Sequence, residues 1–197
     1  MPTSRLEAFA DGIFAFAATL LILNLTVLPG APLGDQLKSI WPSYVAYAVS
    51  FVTIGIIWVN HHSVMHQIAH VDRLFLMLNV LFLMLIAFIP FPTRLLAQSI
   101  NLPAQSNAEA AAVLYGITLT ITAVLINALW RYAATGRRLL RADANARVVQ
   151  GINRSYAPGP FIYLAATLVA LLSPRASAAL YALIALFYVI EASAFGR

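Results

Sequence analysis

Charged residues are so sparse in this chain that they mark out its segments. No residue from Leu74 to Thr93, between Arg73 and Arg94, is charged, and none from Ala110 to Trp130, between Glu109 and Arg131. A helix needs ~20 apolar residues to cross a hydrocarbon core about 30 Å thick. Lipid offers no partner to backbone N–H and C=O groups, so an apolar run of that length has to close its hydrogen bonds within itself. The composition agrees, with 61% hydrophobic and 10% charged residues, where soluble domains have about half and about a quarter. The chain is therefore an all-α integral membrane protein.

The same reading predicts six transmembrane helices, with residues 1–197 forming a single domain. Helix 1 enters at Arg5, is apolar from Gly12 to Leu28 and closes at the turn residues Pro29, Gly30 and Pro32. Asp11 interrupts the basic start that a signal peptide would have, so this is an uncleaved membrane helix. Helix 2 runs from Ser39 to about Ser63, helix 3 from Leu74 to Thr93 and helix 4 from Ala110 to Trp130. Helix 5 runs from Phe161 to Leu172, with an earlier start near Ser155 also open, and helix 6 from Ser177 to Ile190, near Glu191. Six crossings put both termini on one side. Arg5, Arg73, Arg131, Arg137, Arg138, Arg141, Arg147, Arg154 and Arg197 then share that side, against Lys38, Arg94 and Arg175 opposite. The positive-inside rule makes the arginine-rich side cytoplasmic.

A net charge of +5 is explained by these loops, and no nucleic-acid motif accompanies it. Most of the basic charge lies in a cytoplasmic connector at about 133–154. Taken as one helix, that stretch spreads its arginines all round the wheel. It reads as a solvated connector that sets topology, with an anionic-lipid site as the sharper alternative. The chain has no cysteine, which excludes disulfides and thiolate metal sites.

Helix 1 has two faces. At about 100° per residue, Phe16, Leu20, Leu23 and Val27 fall on one stripe with Thr19 and Gly12 at its edge, and Asp11 points well away from it. A carboxylate at the membrane boundary requires partners. Trp58-Val-Asn60-His61-His62 closes helix 2 on the same side, so Asp11 is expected to accept hydrogen bonds from some of Arg5, Trp58, Asn60, His61 and His62. The alternative is a simple helix cap. Gly12 fits either, by letting another backbone approach closely.

Arg5-Leu-Glu-Ala-Phe9-Ala-Asp11-Gly12 resembles the R-x-x-x-F-S-D-G signature that opens the transmembrane protein 175 family, the endolysosomal-type potassium channels and their bacterial relatives. The likeness continues through Thr19-Leu20-Leu21 and through Trp58-Val-Asn60-His61-His62. It implies a homotetramer of single six-helix subunits around a central pore lined by helix 1, in a bacterial plasma membrane. It further implies a hydrophobic constriction at Phe16, Leu20 and Leu23, a selectivity role for Thr19, and a polar network of Arg5, Phe9, Asp11, Gly12, Trp58, Asn60, His61 and His62 that holds helix 1 to helix 2. Two residues depart from the family pattern. Ala10 stands where serine is usual, and Phe16 stands where isoleucine or leucine is usual. Four phenyl rings can seal a pore by excluding water.

The expected function is a potassium-selective or potassium-preferring cation channel, conducting passively. Its permeant ion is K⁺, it has no cofactor, and its partners are further copies of itself and the bilayer. A proton-coupled secondary transporter is the runner-up, although no ionisable midplane site is present for it. A non-conducting membrane scaffold is the third reading. No catalytic constellation appears, so no enzyme is expected. His62, His66 and His70 recur every fourth residue, a spacing open to metal binding, proton sensing or interfacial hydrogen bonding; His66 and His70 have no place in the family network. Asn79 and Asn127 read as interhelical hydrogen bonds. Pro90 and Pro92 mark a helix distortion or exit.

Overall fold

The computed structural model describes residues 3–27, 30, 32–100 and 105–195, and its regular elements are all helical. Among the described residues, four helices are long and apolar enough to cross a membrane: Ser4–Asn24, Trp41–His66, Arg73–Ser99 and Gln105–Arg137. Leu28, Pro29 and Arg197, named above, lie outside the described residues, as does the side chain of Glu191.

Helix α1 (Ser4–Leu20) tightens into a 3₁₀ turn, Leu21–Asn24, and is then no longer helical. The expected α-helix to Leu28 is therefore too long, and Val27 is off its stripe. The cause is tertiary. The amide of Asn24 is buried and donates to the Pro90 carbonyl at 3.3 Å, which fixes the end of α1 against a break in the third apolar segment. That segment is two helices, α4 (Arg73–Phe88) and α5 (Pro90–Ser99). Proline is well suited to the first position of a helix, so Pro90 opens α5 where the sequence reading has a helix nearing its end. Arg94, expected in a loop, is on α5.

Helix α2 (Leu33–Ser39) is short, buries none of its residues and was not expected. Helix α3 (Trp41–His66) starts just after its expected bound and runs past the expected end near Ser63, and α6 (Gln105–Ala134) exceeds its predicted bounds at both ends. In the connector, α6 stops at a kink where Gly136 and Arg137 both have positive φ, 61° and 54°. Arg137 ties the following loop together through the carbonyls of Arg141, Ala142 and Ala144. A short antiparallel bridge between Ile68 and Leu140 then links the two loops.

Helix α7 (Ala146–Tyr156) follows, capped by the Asn145 side chain on the Arg147 amide at 2.9 Å. Its Val148, Val149, Ile152 and Tyr156 share one face, and Arg147, Gln150 and Arg154 share the other. No stripe appears when 133–153 is read as one helix, because the kink shifts the phase of everything beyond it. Helices α8 (Gly159–Ala170) and α9 (Pro174–Phe195) close the bundle.

The core follows α4, whose Phe75, Phe82, Leu83, Ile86 and the adjoining Ile89 are almost fully buried. Several hydroxyls inside pair with one another or with carbonyls, as an apolar surround favours. Ser50 on α3 meets the Thr93 hydroxyl of α5 at 2.9 Å and that of Tyr115 on α6 at 3.1 Å. Ser177 on α9 donates to the Ala166 carbonyl of α8 at 2.7 Å.

Candidate functional site

Helix α1 divides its residues cleanly. Leu6, Ala10, Phe14, Ala17 and Leu21 are buried and form the face packed on α3 and α4. Arg5, Phe9, Gly12, Phe16, Thr19 and Leu23 are exposed, Phe16 and Leu23 at 64% each, and Leu20 is half-buried at the margin. The stripe of Phe16, Leu20 and Leu23 thus faces away from its own subunit. A Cβ added at Gly12 would meet nothing within 4 Å, so no close approach within the subunit explains that glycine. Phe9 is exposed and lies on the same outward face as Phe16, two turns away.

Thr19 sits on the exposed face with its hydroxyl proton already used. Its Oγ1 donates to the Phe16 carbonyl at 2.9 Å. The oxygen lone pairs are then what the side chain presents outward.

Asp11 lies in mid-helix, in the third turn of α1, so it does not cap. It accepts a hydrogen bond from Trp58 Nε1 at 2.8 Å. The His62 ring lies 6.0 Å from that of Trp58. Of the other expected donors, Arg5 is exposed and gives Asp11 no hydrogen bond. Asn60 enters through its carbonyl, which accepts from Tyr156 Oη at 2.7 Å.

His61 turns to a different partner. Its Nε2 lies 2.8 Å from Asn79 Oδ1 on α4. Phe82 stacks on its ring at 5.5 Å, with planes 8° apart, and Phe14 of α1 packs at 5.7 Å. The Asn79 amide nitrogen is buried without a partner. The aromatic wall and the pairing were not read from sequence. An available signal was that two polar residues in adjoining apolar helices, His61 and Asn79, both needed partners. Ala10 is fully buried beside this cluster, where a serine hydroxyl would have had to find a partner of its own.

Asn127 donates to the Tyr156 carbonyl at 2.8 Å, so it is an interhelical tie as expected. Helix α3 ends at His66, and His70 lies beyond it, so the fourth-residue spacing does not continue on one helical face. Asp72 caps α4 through the Phe75 amide at 2.9 Å and takes the Tyr132 hydroxyl at 2.6 Å, with Arg138 at 3.8 Å. These bonds, that of Tyr132 first, hold its carboxyl below the usual carboxylate range. No cluster of metal-ligating side chains occurs among the described residues.

The family model for the endosomal/lysosomal potassium channel TMEM175 matches residues 5–90. A potassium channel of Chamaesiphon minutus is 40% identical, the match covering 98% of this chain and 96% of that protein. One of Streptomyces collinus is 38% identical, over 94% of this chain and 91% of that one. The crystal structure of a lysosomal potassium-selective channel TMEM175 homolog from Chamaesiphon minutus superposes with a TM-score of 0.85 at 37% identity, covering 96% of this chain and 97% of that chain.

Proposed function

This chain belongs to the transmembrane protein 175 family, a family of ion channels and not of enzymes, and on that premise we propose that it is a potassium channel whose pore is lined by the outward face of α1. Four copies surround the axis. Each crosses the bilayer six times, by α1, α3, the α4–α5 pair, α6, α8 and α9. Both termini and the arginine-rich connector face the cytoplasm of a bacterial cell.

The observation that carries the pore assignment is the division of α1. Its inner face is filled by its own subunit, while Phe16, Thr19 and Leu23 remain uncovered. In the tetramer these residues, with Leu20, converge on the axis. Rings of phenyl and isobutyl groups make a hydrophobic constriction that gates by excluding water. Thr19 supplies an oxygen beside it for an ion that has shed part of its hydration shell. No carbonyl filter of the TVGYG kind is present in the sequence, so ion preference rests on this ring and on the width of the constriction. The pairing of Asp11 with Trp58 and of His61 with Asn79 keeps α1 in register behind the stripe.

Potassium efflux from liposomes tests the reading, with wild type and Phe16→Ala side by side and sodium as the competing cation. Wild type passes K⁺, and the alanine variant passes more. Equal flux from both would move the constriction elsewhere. Silence from both, with the tetramer intact by crosslinking, would leave a membrane scaffold with a channel fold.

A further inference from the structure

A pocket of about 320 Å³ opens between α3, α5, α6 and α9. Trp41 and Pro42 open α3, Ile100 follows α5 and Arg175 is in the first turn of α9, and all four line it. The other end of α3 lies beside the connector, where Ile68 bridges Leu140. The mouth is therefore at the opposite end of the spans. The pocket runs inward from there, since Ser50 on its wall is about 13 Å further along α3 than Trp41. Its sides are apolar, with Val45, Ala46, Val49, Leu96, Ala97 and Ala179.

The deep end carries hydroxyls, but they serve one another. Thr93 Oγ1 donates to the Ile89 carbonyl at 2.8 Å, so it accepts from Ser50 at 2.9 Å. With its proton spent there, Ser50 accepts from Tyr115 Oη at 3.1 Å. Every proton of this chain is committed, and no donor is left for a guest.

The mouth is different. Arg175 Nε donates to the Ile100 carbonyl at 3.4 Å, which holds the guanidinium on the wall. Its terminal nitrogens pair with no carboxylate among the described residues, where the ion pairs are those of Arg138 and Arg141. Arg175 is exposed, as is Trp41 on the same rim. A tryptophan at the end of a span marks the headgroup level of the bilayer.

We propose that the pocket binds one acyl chain of a phospholipid in the leaflet away from the connector, with the lipid's phosphodiester on Arg175. An apolar slot whose hydroxyls donate to one another takes an alkyl chain without losing a hydrogen bond. Its volume, at the low end of the range for small-molecule sites, roughly 300–1,000 Å³, suits a single chain. Arginine forms paired hydrogen bonds to phosphate oxygens, and at the headgroup level the phosphodiester is the anion that a lipid offers. A cationic guest is disfavoured by the same guanidinium.

The test is native mass spectrometry of the purified full-length protein titrated with phosphatidylcholine or with diacylglycerol of the same acyl chains, which lacks the phosphate. Wild type retains phosphatidylcholine more tightly. Arg175→Gln weakens phosphatidylcholine about tenfold, the effect of losing one bond to a charged group, and leaves diacylglycerol nearly unchanged. Arg175→Lys keeps part of the preference, because the charge remains and the paired geometry does not. Ala46→Leu narrows the slot and weakens both lipids while the preference between them persists. Arg94→Gln, an exposed arginine of α5 outside the pocket wall, changes neither. Undiminished phosphatidylcholine binding in Arg175→Gln would overturn the headgroup contact. Undiminished binding of both lipids in Ala46→Leu would overturn chain insertion, and loss of the oligomer in that variant would show that a second copy of the chain fills the pocket instead.

Discussion

Trp58 Nε1 donates to Asp11 Oδ1 at 2.8 Å, across the contact between α3 and α1. The bond joins the acidic residue of the signature to the only nitrogen of the Trp58 side chain. It lies on the flank of α1, apart from the stripe of Phe16 and Leu23. Its role is therefore to set the position and rotation of α1 on its subunit. Trp58→Phe and Asp11→Ala each lose about 1 kcal/mol of stability, the typical net worth of one hydrogen bond, since the site is exposed. The double variant loses little more than either alone, because the two residues act through one contact. Thermal unfolding in detergent of the four proteins measures the coupling. The ratio of K⁺ to Na⁺ flux stays unchanged in whichever variants assemble. A ratio that shifts while assembly is normal would place Asp11 in the conduction path.

Gly116 of α6 faces Thr167 of α8 and Tyr181 of α9 at close range. A Cβ there would collide with the Tyr181 and Thr167 hydroxyls and lie 2.9 Å from Thr167 Cβ. The two hydroxyls are in use: Tyr181 Oη lies 3.3 Å from both the Ala112 carbonyl and Thr167 Oγ1. Gly116→Ala is expected to cost about 1–3 kcal/mol by overpacking, outweighing the better helix propensity of alanine. Adding Tyr181→Phe removes one colliding oxygen and restores part of the loss. Melting temperatures of the two variants decide it. A single variant as stable as wild type would mean that α8 and α9 shift freely on α6.

The apolar segments were legible because lipid permits few alternatives: sparse charge and run length mark the long helices without knowledge of their neighbours. The face division of α1 was legible too, since Phe16, Leu20 and Leu23 recur at helical spacing. What escaped the reading depends on distant residues. The 3₁₀ end of α1 answers to Pro90, far along the chain, and the Asn79 partner of His61 comes from another helix. The stripe of α7 was hidden by a local event, the kink at Gly136 and Arg137. Neither positive φ is predictable from hydropathy, and that of Arg137 is uncommon for any residue but glycine.

The Asp72 cap carries a pH dependence. The Tyr132 hydroxyl and then the Phe75 amide favour the ionised carboxylate, so its folded value lies below its unfolded one. The stabilisation is therefore complete above the ordinary carboxylate value of about 4 and is lost as pH falls through the lower folded value. Between pH 7 and pH 3 the melting temperature of wild type falls more than that of Asp72→Asn. The variant starts lower at pH 7, and the two curves converge in acid. Tyr132→Phe lies between them. Parallel curves would assign the acid sensitivity to other carboxylates, of which Asp143, held low by Arg141 at 3.1 Å, is the first to examine.

Thr19 separates selection by an oxygen from selection by width. Its Oγ1 proton is committed to the Phe16 carbonyl at 2.9 Å, so the side chain presents lone pairs outward and not a hydrogen. Valine has nearly the same shape without the oxygen. If the Thr19 ring replaces water around K⁺, Thr19→Val lowers the K⁺ to Na⁺ flux ratio several-fold toward unity. Thr19→Ser keeps it near wild type. Stability is little affected, within about 0.5 kcal/mol, because the residue is exposed on its own subunit. Reversal potentials under bi-ionic conditions give the ratio directly. If Thr19→Val keeps the wild-type ratio while Phe16→Ala lowers it, the phenyl constriction alone discriminates, by the cost of passing each ion with its remaining water through an apolar ring.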